Sequence, residues 1–141
     1  MVDIRYAQAE DTNFWLELDA HISGTELARK IHCRMAYVLL SEGRAAGILR
    51  YGLFWDNTPF CNLLAVSPQF RGKGMGRLLM RRWEEDMRIH GFTLVMTSTR
   101  ADEAAQHFYR KLGYRDAGCL LIPSQPAEIF LIRELHEEPK V

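Results

Sequence analysis

The sequence predicts a single α/β domain over residues 1–141, with a mixed sheet of about seven strands flanked by about four helices, and three observations lead to this prediction. A chain of 141 residues, 48% of them hydrophobic, is long enough for one sizeable core. Its patterns run strand, two helices, three strands, helix, strand, helix and two strands. Residues 60–97 read as strand, helix and strand, which predicts a right-handed parallel crossover. This order fits neither a strict doubly wound sheet nor a barrel.

The strands are predicted from short apolar or alternating runs that are bounded by turn residues. A Glu-Gly pair at residues 42–43 separates two such runs and predicts a hairpin. The Asp-Asn-Thr-Pro stretch at residues 56–59 has the composition of a loop. The predicted strands are residues 2–6, 36–40, 45–54, 60–66, 92–97, 114–122 and 128–133.

The helices are predicted from apolar residues three and four positions apart and from their caps. Ser23 and Glu26 have the spacing of a capping box. The first helix has a less regular pattern, with the apolar members Phe14, Leu16 and Leu18. The buried stripe of the longest helix is predicted to be Leu79, Trp83, Met87 and His90. The predicted helices are residues 11–19, 23–34, 74–90 and 102–112.

The overall composition argues against several classes of function. A formal net charge of zero does not favour bulk binding of nucleic acid or of anionic membranes. No apolar run approaches the roughly 18 residues that span a bilayer, and the N-terminal Met-Val-Asp-Ile-Arg lacks the pattern of a signal peptide. Cys33, Cys61 and Cys119 form no CxxC pair and no metal-ligand spacing with histidines. We therefore expect a cytoplasmic protein with reduced thiols, no metal and a polar tail that frays after Leu135.

The most informative segment is residues 63–76, Leu-Leu-Ala-Val-Ser-Pro-Gln-Phe-Arg-Gly-Lys-Gly-Met-Gly. An apolar strand runs into a loop with glycine at every second position, and the loop runs directly into a helix. Backbone N–H groups at such a junction bind anions at the positive end of the helix dipole. Basic residues cluster here although the dipole disfavours them, either as a solvated face or because a polyanion binds: Arg71, Lys73, Arg77, Arg81 and Arg82. The glycine spacing favours a phosphate-bearing ligand, most simply a cofactor.

Two common phosphate-binding patterns do not match this loop. The P-loop pattern GxxxxGK[ST] is absent, which argues against a nucleoside triphosphate site of that type. The chain reads Gly72-x-Gly74-x-Gly76 instead of GxGxxG, and residues 97–100, Thr-Ser-Thr-Arg, supply no acidic residue after the next strand. A Rossmann dinucleotide site is therefore not expected.

Two motifs resemble those of the GNAT acetyltransferase superfamily. Residues 71–76, Arg-Gly-Lys-Gly-Met-Gly, match its R-x-x-G-x-G/A signature, and the preceding Val66-Ser67-Pro68 matches V-x-P. Residues 108–114, Phe-Tyr-Arg-Lys-Leu-Gly-Tyr, match its second motif, F-Y-x-K-L-G-F/Y. One helix and one strand separate the two motifs, as in that family, and the order of elements is similar over nearly the whole chain.

The resemblance implies acetyl-coenzyme A as the donor and an amine as the acceptor. It assigns the diphosphate to the loop and the helix start, at Arg71, Gly72, Lys73, Gly74, Met75, Gly76 and Arg77. It assigns the pantetheine arm to the main chain of Leu64, Ala65 and Val66, because pantetheine carries two amides that can pair as an added strand. The Gly74→Val substitution is predicted to abolish coenzyme A binding and to leave the fold largely intact.

The second motif supplies the remaining residues that the resemblance assigns. Tyr109 matches the family's usual general acid, which protonates the coenzyme A thiolate, although a tyrosine packed at a helix edge is the alternative. Phe108 precedes it in the cofactor-binding motif. Asp102 stands where the family often has an Asn that contacts the cofactor. A carboxylate can accept hydrogen bonds and cap the helix, but it cannot donate an amide N–H.

The general base and the acceptor site are less well defined by the sequence. Many relatives place Glu or Asp on the strand before the loop, where residues 60–63 here read Phe-Cys-Asn-Leu. The candidates for the base are water relayed from Asn62, and His21, Glu26, Asp56 and His107. Each of these four side chains fits an ordinary surface or packed residue better than it fits a base. Aromatic surface beside an acid can hold a cationic amine or can belong to the core. The candidate acceptor residues are Tyr51, Trp55, Asp56 and Asn62.

Two functions from different classes remain open at this point. The first is an N-acetyltransferase that moves acetyl directly to a primary amine of a small molecule or peptide. The second is a catalytically silent acyl-CoA-binding or sensing module, which the missing carboxylate favours, since fold does not fix function. An acetylated Cys61 is disfavoured because no histidine-rich partner sequence accompanies it. A homodimer through the last strands is common in similar proteins, but the sequence gives no independent sign of one.

Overall fold

Seven strands and four α-helices make up residues 1–136, which are the residues that the computed structural model describes. The strands are β1 (Val2–Tyr6), β2 (Ala36–Ser41), β3 (Arg44–Phe54), β4 (Thr58–Val66), β5 (Leu94–Arg100), β6 (Arg115–Leu120) and β7 (Glu128–Glu134). The helices are α1 (Thr12–Leu18), α2 (Gly24–His32), α3 (Met75–Ile89) and α4 (Ala105–Lys111). The predicted order is confirmed. The predicted polar tail falls almost wholly on residues 137–141, which lie outside the described residues.

The strands form one sheet in the order β1-β2-β3-β4-β5-β7-β6. β2 is antiparallel to both β1 and β3. β4 and β5 are parallel, with Phe60 opposite Met96 and Cys61 opposite Thr97, which confirms the parallel pairing predicted for residues 60–97. β7 lies between β5 and β6 and is antiparallel to both. The mixed sheet that the sequence predicts is therefore confirmed.

The loop between β3 and β4 is shorter than predicted. β4 begins at Thr58, and the connection is reduced to residues 55–57. Trp55 and Asp56 make this tight turn with positive φ angles of 55° and 62°. Composition alone pointed to residues 56–59, because Asn, Thr and Pro are all common in loops. Here the strand continues through the threonine and the proline.

The start of α4 is also later than predicted. The helix begins at Ala105, with Ala104 as its N-cap, instead of at Asp102. The Asp102 carboxylate accepts hydrogen bonds from the Arg100 side chain, at 3.2 Å from Nε and 2.9 Å from Nη2. Asp102 is therefore not the cap of this helix, and its carboxylate pairs with the arginine two residues earlier.

The described residues group into two compact units. The first contains Met1–Gly52 and Asn62–Trp83, and the second contains Leu53–Cys61 and the chain from Glu84 onward. β4 and α3 each contribute residues to both units. That the whole chain is one domain stays a prediction.

The core of the first unit is built around Trp15, which is fully buried with Leu27, Val38 and Ile48. The sequence pattern missed Trp15, because positions i, i+2 and i+4 do not share one face of a helix. Leu16, which that pattern included, is 39% exposed. The indole Nε1 of Trp15 donates to Asp19 Oδ2 at 3.0 Å, which ties the end of α1 to its own core residue.

The predicted stripe of α3 is confirmed for three of its four members. Leu79, Trp83 and Met87 are buried. His90 is exposed, because α3 ends at Ile89 and the chain turns away through Gly91, whose φ is +93°. Glycine is suited to this position, since φ angles in the left-handed region disfavour other residues.

A buried carboxylate organises the second unit. Glu84 on α3 is 3% exposed and accepts hydrogen bonds from the Tyr114 hydroxyl at 2.6 Å and from Arg133 Nη1 at 2.8 Å. Burial raises the pKa of Tyr114 far above its ordinary value, and the nearby Glu84 carboxylate raises it further. The three side chains join the end of α3, the residue before β6 and strand β7 through one charge-assisted network.

Candidate active site

The glycine loop has the geometry that an anion site requires. Gly72 and Gly74 have φ angles of +77° and +82°, a region in which residues with a Cβ are strained. A Cβ built on either glycine meets no atom within 4 Å, so the space over this backbone is open. α3 begins at Met75, directly after the loop, and the Gly74 carbonyl accepts the N–H of Leu78 at 3.2 Å. The first N–H groups of α3 therefore follow an open, glycine-lined turn.

The basic residues around the loop differ in exposure and in the groups they contact. Arg71, Lys73 and Arg77 are exposed beside the loop. Arg71 Nε donates to the Val66 carbonyl at 3.0 Å, which fixes the loop to the end of β4. Arg82, by contrast, donates from Nη1 to the Ile4 carbonyl at 2.8 Å. Part of the basic cluster that the sequence shows is therefore used to hold β1.

Strand β4 leads into this loop and extends beyond its ladder with β5. In the described part of the chain, that parallel ladder comprises the two pairs at Phe60 and Cys61, whereas β4 continues to Val66. Gly47 on β3 allows a close approach here, because a Cβ on it would lie 3.0 Å from Leu79 Cδ1 and 3.3 Å from the Ala65 carbonyl. Leu64, Ala65 and Val66, the residues predicted to pair with pantetheine, are half-buried on this segment.

Tyr109 on α4 is buried in the second unit, where its hydroxyl hydrogen-bonds with the Thr97 side chain. Thr97 Oγ1 donates in turn to the Cys61 carbonyl at 3.1 Å. The Tyr109 ring packs on Phe108 with a centroid distance of 5.2 Å. Burial raises the pKa of the Tyr109 hydroxyl far above its ordinary value, the nearby Cys61 raises it further, and the Thr97 hydrogen bond lowers it. The phenol therefore keeps its proton at neutral pH.

The candidate acceptor residues lie in very different environments. Tyr51 is 9% exposed, and its ring lies 5.8 Å from that of Trp83, centroid to centroid, within the core of the first unit. Trp55 is 80% exposed, and Asp56 is exposed beside it in the turn after β3. Asn62 is exposed on β4, with its Oδ1 beside Gly52. Asn62 is thus an exposed candidate whose side-chain oxygen lies beside the backbone of β3.

The candidate bases are placed as follows. The Glu26 carboxylate forms an ion pair with Arg29, at 2.6 Å from Nη2 to Oε1, and that hydrogen bond lowers its pKa. His21, Asp56 and His107 are exposed. Sequence reasoning also missed a polar residue, Lys30, which is 6% exposed on α2. The apolar residues Leu27 and Ile31 lie four positions apart on α2, and this spacing does not show that a lysine between them is buried too.

Two features are absent from residues 1–136. No helix in this part of the chain is long and apolar enough to cross a membrane. The same residues contain no group of three or more His, Cys, Asp or Glu side chains placed to hold a metal ion.

Comparisons with known proteins agree with the fold and the two motifs. A curated relative, N-acetylaspartate synthetase of Rattus norvegicus, is 33% identical over 84 residues, which are 58% of this chain but 28% of that protein. The solved structure of the ribosomal-protein-S18-alanine N-acetyltransferase of Escherichia coli superposes with a TM-score of 0.82 at 18% identity, covering 99% of this chain and 97% of that chain. N-acetylglutamate synthase of Neisseria gonorrhoeae, solved with coenzyme A and N-acetyl-glutamate, gives a TM-score of 0.83 at 20% identity over 97% of this chain and 36% of that chain. At such identities these structures show the fold.

The family itself is shown by a different comparison. The sequence model described as "Acetyltransferase (GNAT) domain" matches residues 32–116, which include the glycine loop and the whole of the second motif. That match covers more than half of the chain. The chain therefore belongs to the GNAT acetyltransferase family.

Proposed function

We propose that this protein is an acetyl-CoA-dependent N-acetyltransferase that moves the acetyl group to a primary amine. The observation that supports it most strongly is the open turn at Gly72 and Gly74, which leads directly into the first N–H groups of α3. A helix start of this kind attracts phosphate. The solved relative from Neisseria gonorrhoeae, which has a similar fold, contains coenzyme A.

In this proposal, different segments of the chain bind different parts of the cofactor. The main-chain amides of residues 71–77 hold the diphosphate, and Arg71, Lys73 and Arg77 add positive charge from an exposed position. The main chain of residues 64–66 pairs with the two pantetheine amides, which the extension of β4 beyond its two-pair ladder supports. Phe108 and Asp102 contribute through the second motif and the turn before it, although Asp102 is held by Arg100.

In the proposed reaction the neutral amine attacks the thioester carbonyl carbon, so that an N–C bond forms and the C–S bond breaks. The amine loses a proton to a base or to water, and the coenzyme A thiolate takes one from Tyr109. The pKa of Tyr109 is raised above its ordinary value by burial, so it holds this proton until the thiolate forms. An ordinary thiol has a pKa of about 8.5. The phenol is the weaker acid of the two, so this transfer is uphill, and it becomes less unfavourable when the thiolate forms in a buried place, since burial raises the pKa of the thiol as well.

The comparisons define the class of acceptor less closely than any other part of the proposal. One solved relative acetylates an alanine of a ribosomal protein according to its name, and another makes N-acetylglutamate. The acceptor of this chain is accordingly a primary amine of a small molecule or a peptide. We further propose a cytoplasmic location, for which the free thiols of Cys33, Cys61 and Cys119 are the support. Homodimerisation stays a prediction from the resemblance.

The cofactor part of the proposal is tested by calorimetric titration of coenzyme A into Gly74→Ala and into the control Gly24→Ala. Gly74→Ala should weaken binding at least about tenfold, because the methyl group occupies the open space over the amides and strains a position with φ of +82°. Gly24 has neither a positive φ nor a close neighbour, so its substitution should leave affinity unchanged. Gly74→Val places a larger, branched side chain at the same positive φ, so it should strain the fold as well as prevent coenzyme A binding. Equal affinity in wild type and Gly74→Ala would contradict the assignment.

The catalytic part is tested by thiol release from acetyl-CoA with a panel of amines. Tyr109→Phe should lower kcat by about 100-fold or more, the range that loss of a general acid produces, while the affinity for coenzyme A stays the same. Tyr6→Phe is the matched control, because Tyr6 is a half-buried tyrosine on β1 outside the proposed machinery. Tight binding of coenzyme A without turnover on any amine would instead support the silent binding module.

A further inference from the structure

The ammonium of a lysine on α2 is buried with one hydrogen-bond partner and without an ion pair among residues 1–136. Lys30 is 6% exposed, and its Nζ donates to the Tyr51 carbonyl at 2.7 Å. An ammonium has three N–H donors, so this bond uses one of them. No carboxylate of residues 1–136 forms an ion pair with Lys30. The charge is therefore enclosed with a single neutral partner.

The fold alone does not explain a lysine at this position. Burying a charge without an opposite partner is unfavourable, and replacing buried charge with apolar side chains is often neutral or stabilising. Burial lowers the pKa of Lys30, and the neighbouring Arg29 lowers it further, while Glu26 opposes the change. An unbranched apolar residue beside Leu27 would avoid this penalty. The packing of the core therefore does not account for a lysine at this position.

Gly52 lets the Lys30 ammonium lie close to the backbone of β3. A Cβ on Gly52 would lie 2.9 Å from Lys30 Nζ and 3.2 Å from Asn62 Oδ1, both closer than ordinary contact. Gly52 has no positive φ, so its backbone conformation does not require glycine. Asn62 is exposed on β4, so the carboxamide on this side of the glycine borders solvent. An ammonium and a carboxamide oxygen therefore lie beside the same glycine.

The neighbouring arginine differs from Lys30 in being neutralised. Arg50 precedes Gly52 by two residues on β3, so the two positions share one face of the sheet. Its Nε lies 2.7 Å from Asp19 Oδ2, and Asp19 also accepts hydrogen bonds from Trp15 and from the His21 amide. The Arg50 charge is thus internally paired. Lys30 is left as the cation that can meet an anionic group of a ligand.

We propose that Lys30 binds the carboxylate of the acceptor and that the acceptor is accordingly a free amino acid. The Asn62 carboxamide oxygen then receives an N–H of the amino group, which in an amino acid lies on the carbon next to the carboxylate. Asn62 precedes by two residues the segment 64–66 that we assigned to pantetheine, so the amine would lie beside the donor. This inference rests on the proposed acetyltransferase function. A peptide N-terminus lacks the adjacent carboxylate, so the inference excludes it as the acceptor.

The test compares matched acceptors on wild type and Lys30→Met. Each L-amino acid is assayed beside its carboxamide and the corresponding primary amine, and thiol release from acetyl-CoA is followed. A charge-assisted hydrogen bond of about 1.5–3 kcal/mol corresponds to a preference for the acid of about 10- to 100-fold in kcat/KM. In Lys30→Met this preference should fall to near one, mainly through a higher KM for the acid. Values for the uncharged amine and for acetyl-CoA should stay unchanged.

Two further variants separate the site from general effects. Arg29→Met removes a cation from the adjacent, exposed position of the same helix, where Arg29 is paired with Glu26, and it should keep the preference for the acid. Gly52→Ala keeps Lys30 but places a methyl group against its Nζ and must displace the ammonium, so it should reduce the preference as Lys30→Met does. Thermal unfolding of each variant checks that the fold is retained.

The outcomes distinguish this inference from the function on which it rests. If wild type acetylates carboxamides, simple amines or peptide N-termini as well as amino acids, the inference is overturned and the acetyltransferase proposal stands. Retention of the preference in Lys30→Met overturns it equally. If no amine is acetylated, the proposed function fails, and calorimetric titration of the amino acids into coenzyme A-loaded wild type and Lys30→Met decides the carboxylate site. Equal heats in the two proteins then count against it.

Discussion

Glu84 and Lys30 are both buried charges, and they differ in what surrounds them. The Glu84 carboxylate accepts from Tyr114 at 2.6 Å and from Arg133 at 2.8 Å, so its charge is balanced within the second unit. The Lys30 ammonium in the first unit has a carbonyl of Tyr51 and no counter-charge among residues 1–136. Removing a partner from a balanced buried charge destabilises the fold, whereas an unbalanced charge beside an exposed polar group is suited to bind a ligand. Burial alone therefore does not separate the two roles.

Removing Glu84 should have the largest effect on the folded protein. Glu84→Ala leaves the buried Tyr114 hydroxyl and the Arg133 guanidinium without their partner, so the free energy of unfolding should fall by about 3–5 kcal/mol. Glu85→Ala is the matched control, since Glu85 is exposed and pairs with Arg88 on the helix surface, and it should change stability by less than about 1 kcal/mol. Urea unfolding measures both. Equal losses would show that the Glu84 network is not structural.

Removing one partner instead of the carboxylate should have a smaller effect. Arg133→Met leaves Glu84 with the Tyr114 hydroxyl, and the Arg133 side chain is already 31% exposed. We expect the free energy of unfolding to fall by about 1–3 kcal/mol, the range for one hydrogen bond to a charged group. The same urea titration gives the value. A loss as large as that of Glu84→Ala would mean that the charge balance depends on Arg133 alone.

Lys30→Met should behave in the opposite way to Glu84→Ala. The substitution removes a buried charge and one hydrogen bond to the Tyr51 carbonyl, two effects that offset each other, so stability should change by less than about 1 kcal/mol. Wild type and variant are compared by urea unfolding at neutral pH. A loss of several kcal/mol would assign Lys30 a structural role and would remove the contrast with Glu84.

The smallest expected effect is a pH dependence of the difference in stability between wild type and Lys30→Met. Burial lowers the pKa of Lys30 below the value of 10.5 that it has in the unfolded chain. Between the two pKa values the unfolded chain binds more protons, so the stability of wild type relative to Lys30→Met should rise as the pH approaches 10.5. Urea unfolding of both proteins across the alkaline range measures the slope. A slope of the opposite sign would mean that the folded protein favours the charged lysine.

The sequence predicted those parts of the molecule that depend on local pattern. The glycine loop could be found because positive φ angles at Gly72 and Gly74 require a particular residue type at particular spacings. The strands and the longest helix follow from periodicity in the same way. Trp15 was missed because the apolar pattern of α1 gave no single face, and the start of α4 was placed too early because Asp102 has the composition of a helix cap while the helix begins after Ala104.

The site at Gly52 was beyond prediction for a different reason. It joins residues 30, 52 and 62, which lie on α2, β3 and β4 and come together only through the folded sheet. A lysine in a helix that also contains Arg29 and His32 has the composition of a solvated face. Its burial depends on the packing of α2, which no local pattern encodes. Asn62 could be named from the sequence because it stands where a carboxylate was expected.

The tight turn after β3 gives the protein a built-in optical reporter. Of the three tryptophans, Trp15 and Trp83 are fully buried, while Trp55 is 80% exposed at a φ of 55°. A water-soluble quencher such as iodide should therefore extinguish the emission of one indole and leave the other two bright. Fluorescence can then follow the surroundings of this turn in the unlabelled protein.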